Sequence, residues 1–292
     1  MNHRTASLRG IGDRQIFWQA WTDRTPPRAL IVIVHGASEH SDRYAHVARR
    51  LVDEGCDVYA LDHRGHGRSE GPRALIDRLD HAVSDLDQLV VIAQDEHPGA
   101  PVFMLGHSMG GTVALRYALA HQPRLAGLIL SGPLAALEAA PAPMRLAGRI
   151  LSALAPSLPL VAIDASLVSR DPEVVRNYIA DPLVHHGRLP ARTVAELSAA
   201  IESFPTTVTA VTLPTLILYG TADRLCPPAG SQMLADRIGA ADKVIKAYDG
   251  LYHEILNEPE PERDAVLSDI CAWLAAHVPS VAVDQERAAR AD

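Results

Sequence analysis

Residues 102–115 carry the clearest chemical signal in this sequence. An apolar run is followed by the pattern Gly-x-Ser-x-Gly at residues 106–110 and then by a run rich in alanine and leucine. This order predicts a strand, a sharp strained turn with Ser108 on it, and a helix. Glycines at the turn leave room for the neighbouring backbone, and the strain lifts the Ser108 hydroxyl clear of the sheet edge. Ser108 is therefore the predicted nucleophile. The alternative is a tight strand–helix turn that happens to contain serine.

A serine hydroxyl needs a base to take its proton and an acid to orient that base. After a nucleophile in this setting, the acid and then the histidine are expected to follow along the chain. Asp223 follows the apolar strand at residues 215–219, and His253 follows the strand at residues 243–248. Ser108, Asp223 and His253 are therefore predicted to form a catalytic triad.

Other residues compete for two of these roles. Asp249 is the rival acid, but it precedes His253 on the same loop, and we interpret it as a turn former. The rival bases are His185, His186 and His277. The first two fall in a presumed cap and the third on the terminal helix, where surface roles are favoured.

Acyl transfer also requires N–H donors for the negative oxygen of the tetrahedral intermediate. The N–H of Met109, at the start of the helix after Ser108, is one predicted donor. The other is the N–H of Ala37, in the loop that follows the apolar strand at residues 29–34. Ala37 and Met109 are thus the predicted oxyanion hole.

The elements that position these residues are strands alternating with helices. Continuous apolar runs are typical of strands buried on both faces, and segments with helical spacing separate them. This alternation predicts a mostly parallel central sheet flanked by helices, preceded by an antiparallel pair of strands near residues 6–21. Ligands bind beyond the carboxyl ends of such strands, where the candidate residues fall. The predicted parallel strands are residues 29–34, 56–61, the run before Ser108, 125–131, 215–219 and 243–248.

Residues 134–211 interrupt the alternation. Prolines break this stretch into short helical pieces, yet it is too long and too apolar for a plain loop. We interpret it as an inserted helical cap over the site, which leaves residues 1–133 and 212–280 as the core and 281–292 as a flexible tail.

An apolar stripe recurs at helical spacing within the cap. Its members are Met144, Leu146, Ala147, Ile150, Leu151 and Leu154. The stripe either packs on the core of the cap or forms an exposed lip that contacts membranes, where lipid substrates are found.

Composition excludes several classes of partner. The net charge is −8 without basic blocks and aromatic residues make up only 4%, which argues against nucleic-acid binding. No phosphate-binding or dinucleotide-binding glycine motif lies at a strand–helix turn. His63 and His66 flank Arg64 and Gly65 in a glycine-rich loop without an obvious third ligand nearby, so neither a metal nor a cofactor is expected.

The sequence favours a cytoplasmic location. The three cysteines lack paired spacing, the amino-terminal residues lack the apolar segment of a signal peptide, and no apolar run reaches transmembrane length. Peripheral contact with a membrane through the cap is compatible with this location. The sequence leaves the oligomeric state unspecified.

Four motifs together resemble the monoacylglycerol lipase family of the α/β-hydrolase fold. They are HGASEHSDRY at residues 35–44, DHRGHGRS at 62–69, GHSMGG at 106–111 and GTADRLCP at 220–227. The resemblance covers about residues 31–261, and the cap stretches 169–172 and 181–184 are also similar to that family.

The resemblance implies hydrolysis of 1- or 2-monoacylglycerol to glycerol and a fatty acid by the triad named above. It also implies that Glu39 and Arg43 border the pocket for the glycerol head, although a salt bridge that fixes the loop is an equal alternative. Cys226 resembles a cysteine found near the pocket of some members. Residues 254–257 lack the second histidine that some members have, and Asn257 is a candidate substitute.

Other activities remain open. A broader carboxylesterase or a lysophospholipase would use the same triad. A non-catalytic ligand receptor on this scaffold is disfavoured because no triad member or oxyanion loop is visibly lost. Haloalkane and epoxide hydrolases would need a carboxylate at position 108, which is occupied by serine.

Overall fold

The computed structural model describes residues 1–23, 26–136, 148 and 150–278. The strands are β1 (Asn2–Gly10), β2 (Arg14–Thr22), β3 (Ala29–Val34), β4 (Cys56–Leu61), β5 (Val102–His107), β6 (Gly127–Ser131), β7 (Pro159–Val161), β8 (Leu189–Pro190), β9 (Thr215–Gly220) and β10 (Lys243–Tyr248). The longer helices are α1 (Ala45–Asp53), α2 (Leu79–Glu96), α3 (Met109–His121), α4 (Pro172–Ala180), α5 (Ala191–Thr207), α6 (Pro228–Arg237) and α7 (Glu262–His277).

Eight strands form one central sheet in the order β1-β2-β4-β3-β5-β6-β9-β10. The hairpin β1–β2 is antiparallel, and β2 pairs with β4 in antiparallel orientation. The other six strands of this sheet, β4, β3, β5, β6, β9 and β10, run parallel to one another. The predicted mostly parallel sheet is confirmed, and its carboxyl ends bring the loops after β3, β5, β9 and β10 to one edge.

The continuous apolar runs are explained by burial on both faces of the sheet. Alternate residues of β3 enter two separate cores. Leu30, Val32 and Val34 pack in a cluster with residues of α2, α3 and α5, whereas Ile31 and Ile33 pack in a second cluster with residues of α1 and α7. Because both faces are covered, each inner strand is apolar at nearly every position.

The segment predicted as a cap contains more than helices. β7 and β8 pair as a short antiparallel ribbon that the sequence analysis did not predict. The carboxyl-terminal half of α5 inserts Phe204 into the core cluster of the sheet, beside Val208 just after that helix. The division of the chain at residues 134 and 211 stays a prediction.

The apolar stripe of the cap is only partly described by the structure. Met144, Leu146 and Ala147 lie outside the described residues, as does the predicted tail at 281–292. Leu154 is 80% exposed and Ile150 is 53% exposed. Within the described ranges, no helix combines the length and the apolar character that crossing a bilayer requires.

Candidate active site

Ser108 occupies the sharp turn between β5 and α3. Its backbone lies in the left-handed region, with φ 55° and ψ −123°, which is unusual for a residue that carries a side chain. A Cβ at Gly106 would lie 2.6 Å from the carbonyl oxygen of Gly110, and one at Gly110 would lie 2.0 Å from that of Val34. The turn is therefore closed to larger residues at both glycine positions, as predicted from the pattern.

Asp223 and His253 meet at the carboxyl edge of the sheet. The Nδ1 of His253 lies 2.8 Å from Oδ2 of Asp223. The other carboxylate oxygen, Oδ1, accepts the N–H groups of Leu225 and Cys226 at 2.9 and 2.8 Å. Asp223 is thus locked in place by its own loop, and it fixes the orientation of the imidazole.

The environment of His253 favours its charged form. Burial alone would lower the pKa of the imidazole, but the Cys226 sulfur and the Asp223 carboxylate beside it raise that pKa well above the ordinary value. A field that stabilises the imidazolium also lowers the energy of the state in which His253 has accepted a proton.

Cys226 lies between the serine and the histidine. Its Sγ is 3.7 Å from Oγ of Ser108 and 4.0 Å from Nε2 of His253. Among the described residues the Ser108 hydroxyl has its polar contact with this sulfur and not with the imidazole. Hydrogen bonds between a nucleophile and its base are often long in the free enzyme and shorten when substrate binds.

The loop after β3 approaches the serine closely. A Cβ at Gly36 would lie 2.9 Å from Oε1 of Glu39 and 3.1 Å from Cβ of Ser108, so glycine permits this close approach. Ala37 lines the same cavity as Ser108. Within the part of the chain that the structure describes, no protein group accepts a hydrogen bond from the N–H of Ala37 or of Met109. Neither N–H group is therefore engaged by a described residue.

The competing residues serve other purposes. Asp249 is exposed and accepts a hydrogen bond from the hydroxyl of Thr221. His186 contacts the carbonyl of Asp181, and His277 pairs with Asp242, which directly precedes β10. None of these side chains borders the cavity that Ser108 lines.

Glu39 and Arg43 belong to a buried ion network. One Arg43 nitrogen lies 2.6 Å from Glu39, and the guanidinium makes two further contacts of 2.7 Å with the carboxylate of Glu254. Glu39 also accepts the N–H of Gly36 at 2.6 Å and the hydroxyl of Tyr44 at 2.7 Å. The predicted salt bridge is present, and Glu39 holds the residue before Ala37.

Charges in this network stabilise one another. Burial alone would raise the pKa of Glu39, but the Arg43 guanidinium lowers it to about 2. The same guanidinium holds the pKa of Glu254 below its ordinary value despite burial. Both carboxylates are therefore charged at neutral pH.

Sequence reasoning missed Glu254 and Tyr178. The guanidinium of Arg43 lies 4.9 Å from the centre of the Tyr178 ring, which comes from α4 of the cap. The amide of Asn257 donates to Glu254 at 2.9 Å, so it supports the network and does not border the cavity. Only the position of Glu254, directly after the predicted base, could have drawn attention to it.

An open cavity connects these groups. Its polar side chains are Glu39, His107, Ser108, Ser198, Cys226, His253 and Glu254 together with the Tyr178 hydroxyl. The remaining lining is mostly apolar and is formed by Leu134, Val161, Ala162, Ile163, Val168, Leu189, Val194, Leu197 and Leu225. A pocket of this composition fits a ligand with a long apolar part and a small polar part.

The cap is fastened to both catalytic loops. On one side, the carbonyl of Val168 accepts the N–H of Glu254 at 2.7 Å, and Arg170 pairs with Glu258 at 2.9 Å. On the other side, the N–H of His185 donates to the carbonyl of Ser38 at 2.7 Å. Residues 168–185 therefore help to position the loops that carry His253 and Ala37.

Histidine rings pack beneath the loop after β3. The ring centroids of His35 and His63 are 4.5 Å apart, and those of His35 and His66 are 5.5 Å apart. Burial lowers the pKa of all three, that of His66 to about 3. Within the described residues, no group of histidine, cysteine and acidic side chains has the arrangement of a metal site.

Comparison with known proteins identifies the family. A family model described as serine aminopeptidase, S33, matches residues 25–260. A monoacylglycerol lipase of Mycolicibacterium smegmatis is 44% identical over 273 residues, which cover 93% of this chain and 97% of that protein. The monoglyceride lipase of Homo sapiens is 37% identical over 89% of this chain and 86% of its own length.

A solved structure supports the same family assignment. The crystal structure of a monoacylglycerol lipase from Paleococcus ferrophilus matches with a TM-score of 0.80 at 32% identity, over 95% of this chain and all of that chain. The sheet order and the family model agree with this match. The chain therefore belongs to the monoacylglycerol lipase family of serine hydrolases with the α/β-hydrolase fold.

Proposed function

We propose that this protein hydrolyses monoacylglycerols to glycerol and free fatty acid through an acyl-enzyme on Ser108. The observation that carries the proposal is the meeting of Ser108 and the Asp223–His253 pair at one cavity with apolar walls and acidic groups at the reacting end. Relatives that share 37–44% of their residues with this chain are monoacylglycerol lipases by name.

The reaction follows from the positions of these groups. Ser108 Oγ turns from Cys226 to His253 and attacks the ester carbonyl while His253 takes its proton. The N–H groups of Ala37 and Met109 bind the oxyanion, and Asp223 stabilises the imidazolium. His253 then protonates the departing glycerol, and water activated by the same residue releases the fatty acid. Each step uses only groups of this chain and water.

A substrate panel on the purified protein tests the proposal. We expect release of fatty acid from 1-dodecanoylglycerol to exceed release from 1-dodecanoyl lysophosphatidylcholine, and we expect a fluorophosphonate to label one serine. Faster cleavage of the lysophospholipid would favour the phospholipase alternative. Labelling without cleavage of any ester in the panel would contradict the lipase function.

The cap also supports peripheral contact with lipid surfaces. Val161 lines the cavity and is 45% exposed, and the strongly exposed Leu154 lies on the same cap. An apolar rim beside a lipid-binding cavity is suited to take substrate from a membrane or micelle.

Vesicle co-sedimentation at low salt tests this contact. We expect the wild-type protein to pellet with phosphatidylglycerol vesicles and Leu154→Asp to pellet several-fold less, because a buried leucine contributes about 1.5–3 kcal/mol. Ile11→Asp is the control, since Ile11 is 44% exposed on the β1–β2 turn. Equal sedimentation of all three proteins, or none with the wild type, would contradict the proposed contact.

A further inference from the structure

The charge of the cavity is one-sided. Among the described residues that line it, Glu39 and Glu254 are acidic, and none is a lysine or an arginine. Their counter-ion, Arg43, is not part of the lining. Two ionised carboxylates and one guanidinium carry a net negative charge, and the Asp223–His253 pair adds no net positive charge in either protonation state of the imidazole.

Two oxygen atoms of these carboxylates can each accept a further hydrogen bond. Glu39 Oε2 and Glu254 Oε1 each accept one hydrogen bond, from Arg43. A carboxylate oxygen can accept two, so each retains capacity for one more donor. A hydroxyl group can fill that position, whereas a phosphate oxygen offers only lone pairs and is repelled.

The two carboxylates flank the reacting end of the cavity. Glu39 binds the N–H of Gly36, which precedes the proposed oxyanion donor Ala37. Glu254 follows the proposed base, His253, directly in the chain. The alcohol part of a bound ester is therefore expected to lie beside these carboxylates, and its acyl chain along the apolar walls.

We propose that Glu254, together with Glu39, is a specificity-determining residue that admits lipid esters with neutral polyol heads and rejects those whose heads carry a phosphate anion. This inference rests on the proposed ester hydrolysis and goes beyond it, because the triad alone would cleave both classes. The Arg43 guanidinium keeps the pKa of Glu254 low, so the filter operates at neutral pH.

The expected discrimination follows from Coulomb's law. A phosphate charge about 6 Å from one uncompensated carboxylate is disfavoured by on the order of a hundredfold when the effective dielectric constant is roughly 20. Arg43 compensates part of this charge, so removal of one carboxylate charge is expected to change discrimination by about tenfold.

Steady-state kinetics of an isosteric variant test the filter. The kcat/KM for 1-dodecanoylglycerol is divided by that for 1-dodecanoylglycerol 3-phosphate, for the wild type and for Glu254→Gln. We expect this ratio to fall about tenfold in Glu254→Gln. Glu173→Gln, at an exposed position on α4, removes the same charge away from the cavity and is expected to keep the wild-type ratio.

An unchanged ratio in Glu254→Gln would overturn the filter while leaving the hydrolase function intact. Failure of the wild type to cleave the neutral ester would instead refute the hydrolase function.

A measurement on the wild type alone guards against a variant that does not fold. Non-cleavable ethers compete for the same cavity, so 1-O-dodecylglycerol is expected to inhibit at least tenfold more strongly than its 3-phosphate. Equal inhibition by the two ethers would overturn the filter. This competition can be followed with any chromogenic ester that the protein cleaves.

Discussion

Ser108→Ala is expected to lower kcat for monoacylglycerol hydrolysis by on the order of 10⁴- to 10⁶-fold. The substitution removes the oxygen that forms the acyl-enzyme, while the predicted oxyanion donors and the apolar cavity remain. Some acceleration over the uncatalysed reaction therefore persists. KM is expected to change little, because the hydroxyl contributes mainly to the transition state.

Loss of activity in Ser108→Ala must be separated from loss of the fold. Among the described residues, the Ser108 hydroxyl has a polar contact with the Cys226 sulfur alone, at 3.7 Å, so the variant is expected to unfold at nearly the wild-type temperature. Mass spectrometry after fluorophosphonate treatment should show one adduct on the wild type and none on Ser108→Ala. Ser198→Ala, which alters another serine of the cavity, should keep the adduct. An adduct on folded Ser108→Ala would refute the nucleophile assignment.

Arg43→Met is expected to destabilise the protein by about 3–5 kcal/mol at neutral pH. The substitution leaves Glu39 and Glu254 buried without their cation, at 2% and 5% exposure. Methionine fills most of the space of the aliphatic stem, so the missing charge accounts for most of the effect. Urea denaturation of both proteins at pH 7.5 measures the difference in free energy of unfolding.

The pH dependence of this difference has a defined sign. In the wild type, Arg43 lowers the pKa of both carboxylates in the folded protein. Their contribution to the free energy of unfolding is therefore fully present above the pKa that they have in the unfolded chain. It is lost only as the pH falls through their lower pKa values in the folded protein. Without Arg43, burial raises both pKa values. As the pH falls, protonation then removes the free-energy cost of burying two unpaired carboxylate charges. The difference in free energy of unfolding between wild type and variant is therefore expected to be smaller at pH 5 than at pH 7.5.

A surface pair provides the matched control. Arg50 forms an ion pair with Glu54 four residues away, and both side chains are about 40% exposed. Arg50→Met is expected to change stability by less than about 1 kcal/mol at either pH. If Arg43→Met were as mild as Arg50→Met, the buried network would not have the structural role assigned to it.

Local patterns predicted the central sheet and the turn at Ser108. The strand, the glycines and the following helix lie within 20 residues, so the steric requirement can be read directly from the chain. Asp223 and His253 were predicted from strand ends, and the structure places their side chains 2.8 Å apart. Their catalytic role stays a prediction, as do those of Ala37 and Met109.

Non-local contacts limited what could be predicted. Glu254 is paired with Arg43 across 211 residues of sequence. The sequence alone does not distinguish a buried glutamate after a histidine from an exposed one. The pairing of β7 with β8 involves only short segments, without the alternation that identifies a strand. The burial of Phe204 likewise depends on the packing of α5 against α3 and α6 and not on any local pattern.

The attachment of residues 168–185 has a consequence for protein engineering. Exchange of caps between related enzymes is an obvious route to a different acyl-chain preference. Here the donor segment would have to recreate the partners of Glu254, Glu258 and Ser38, which lie outside it. A chimera joined at the ends of the insertion alone would disturb the loops on both sides of the nucleophile. Recombination is therefore expected to succeed when those loops are transferred together with the cap.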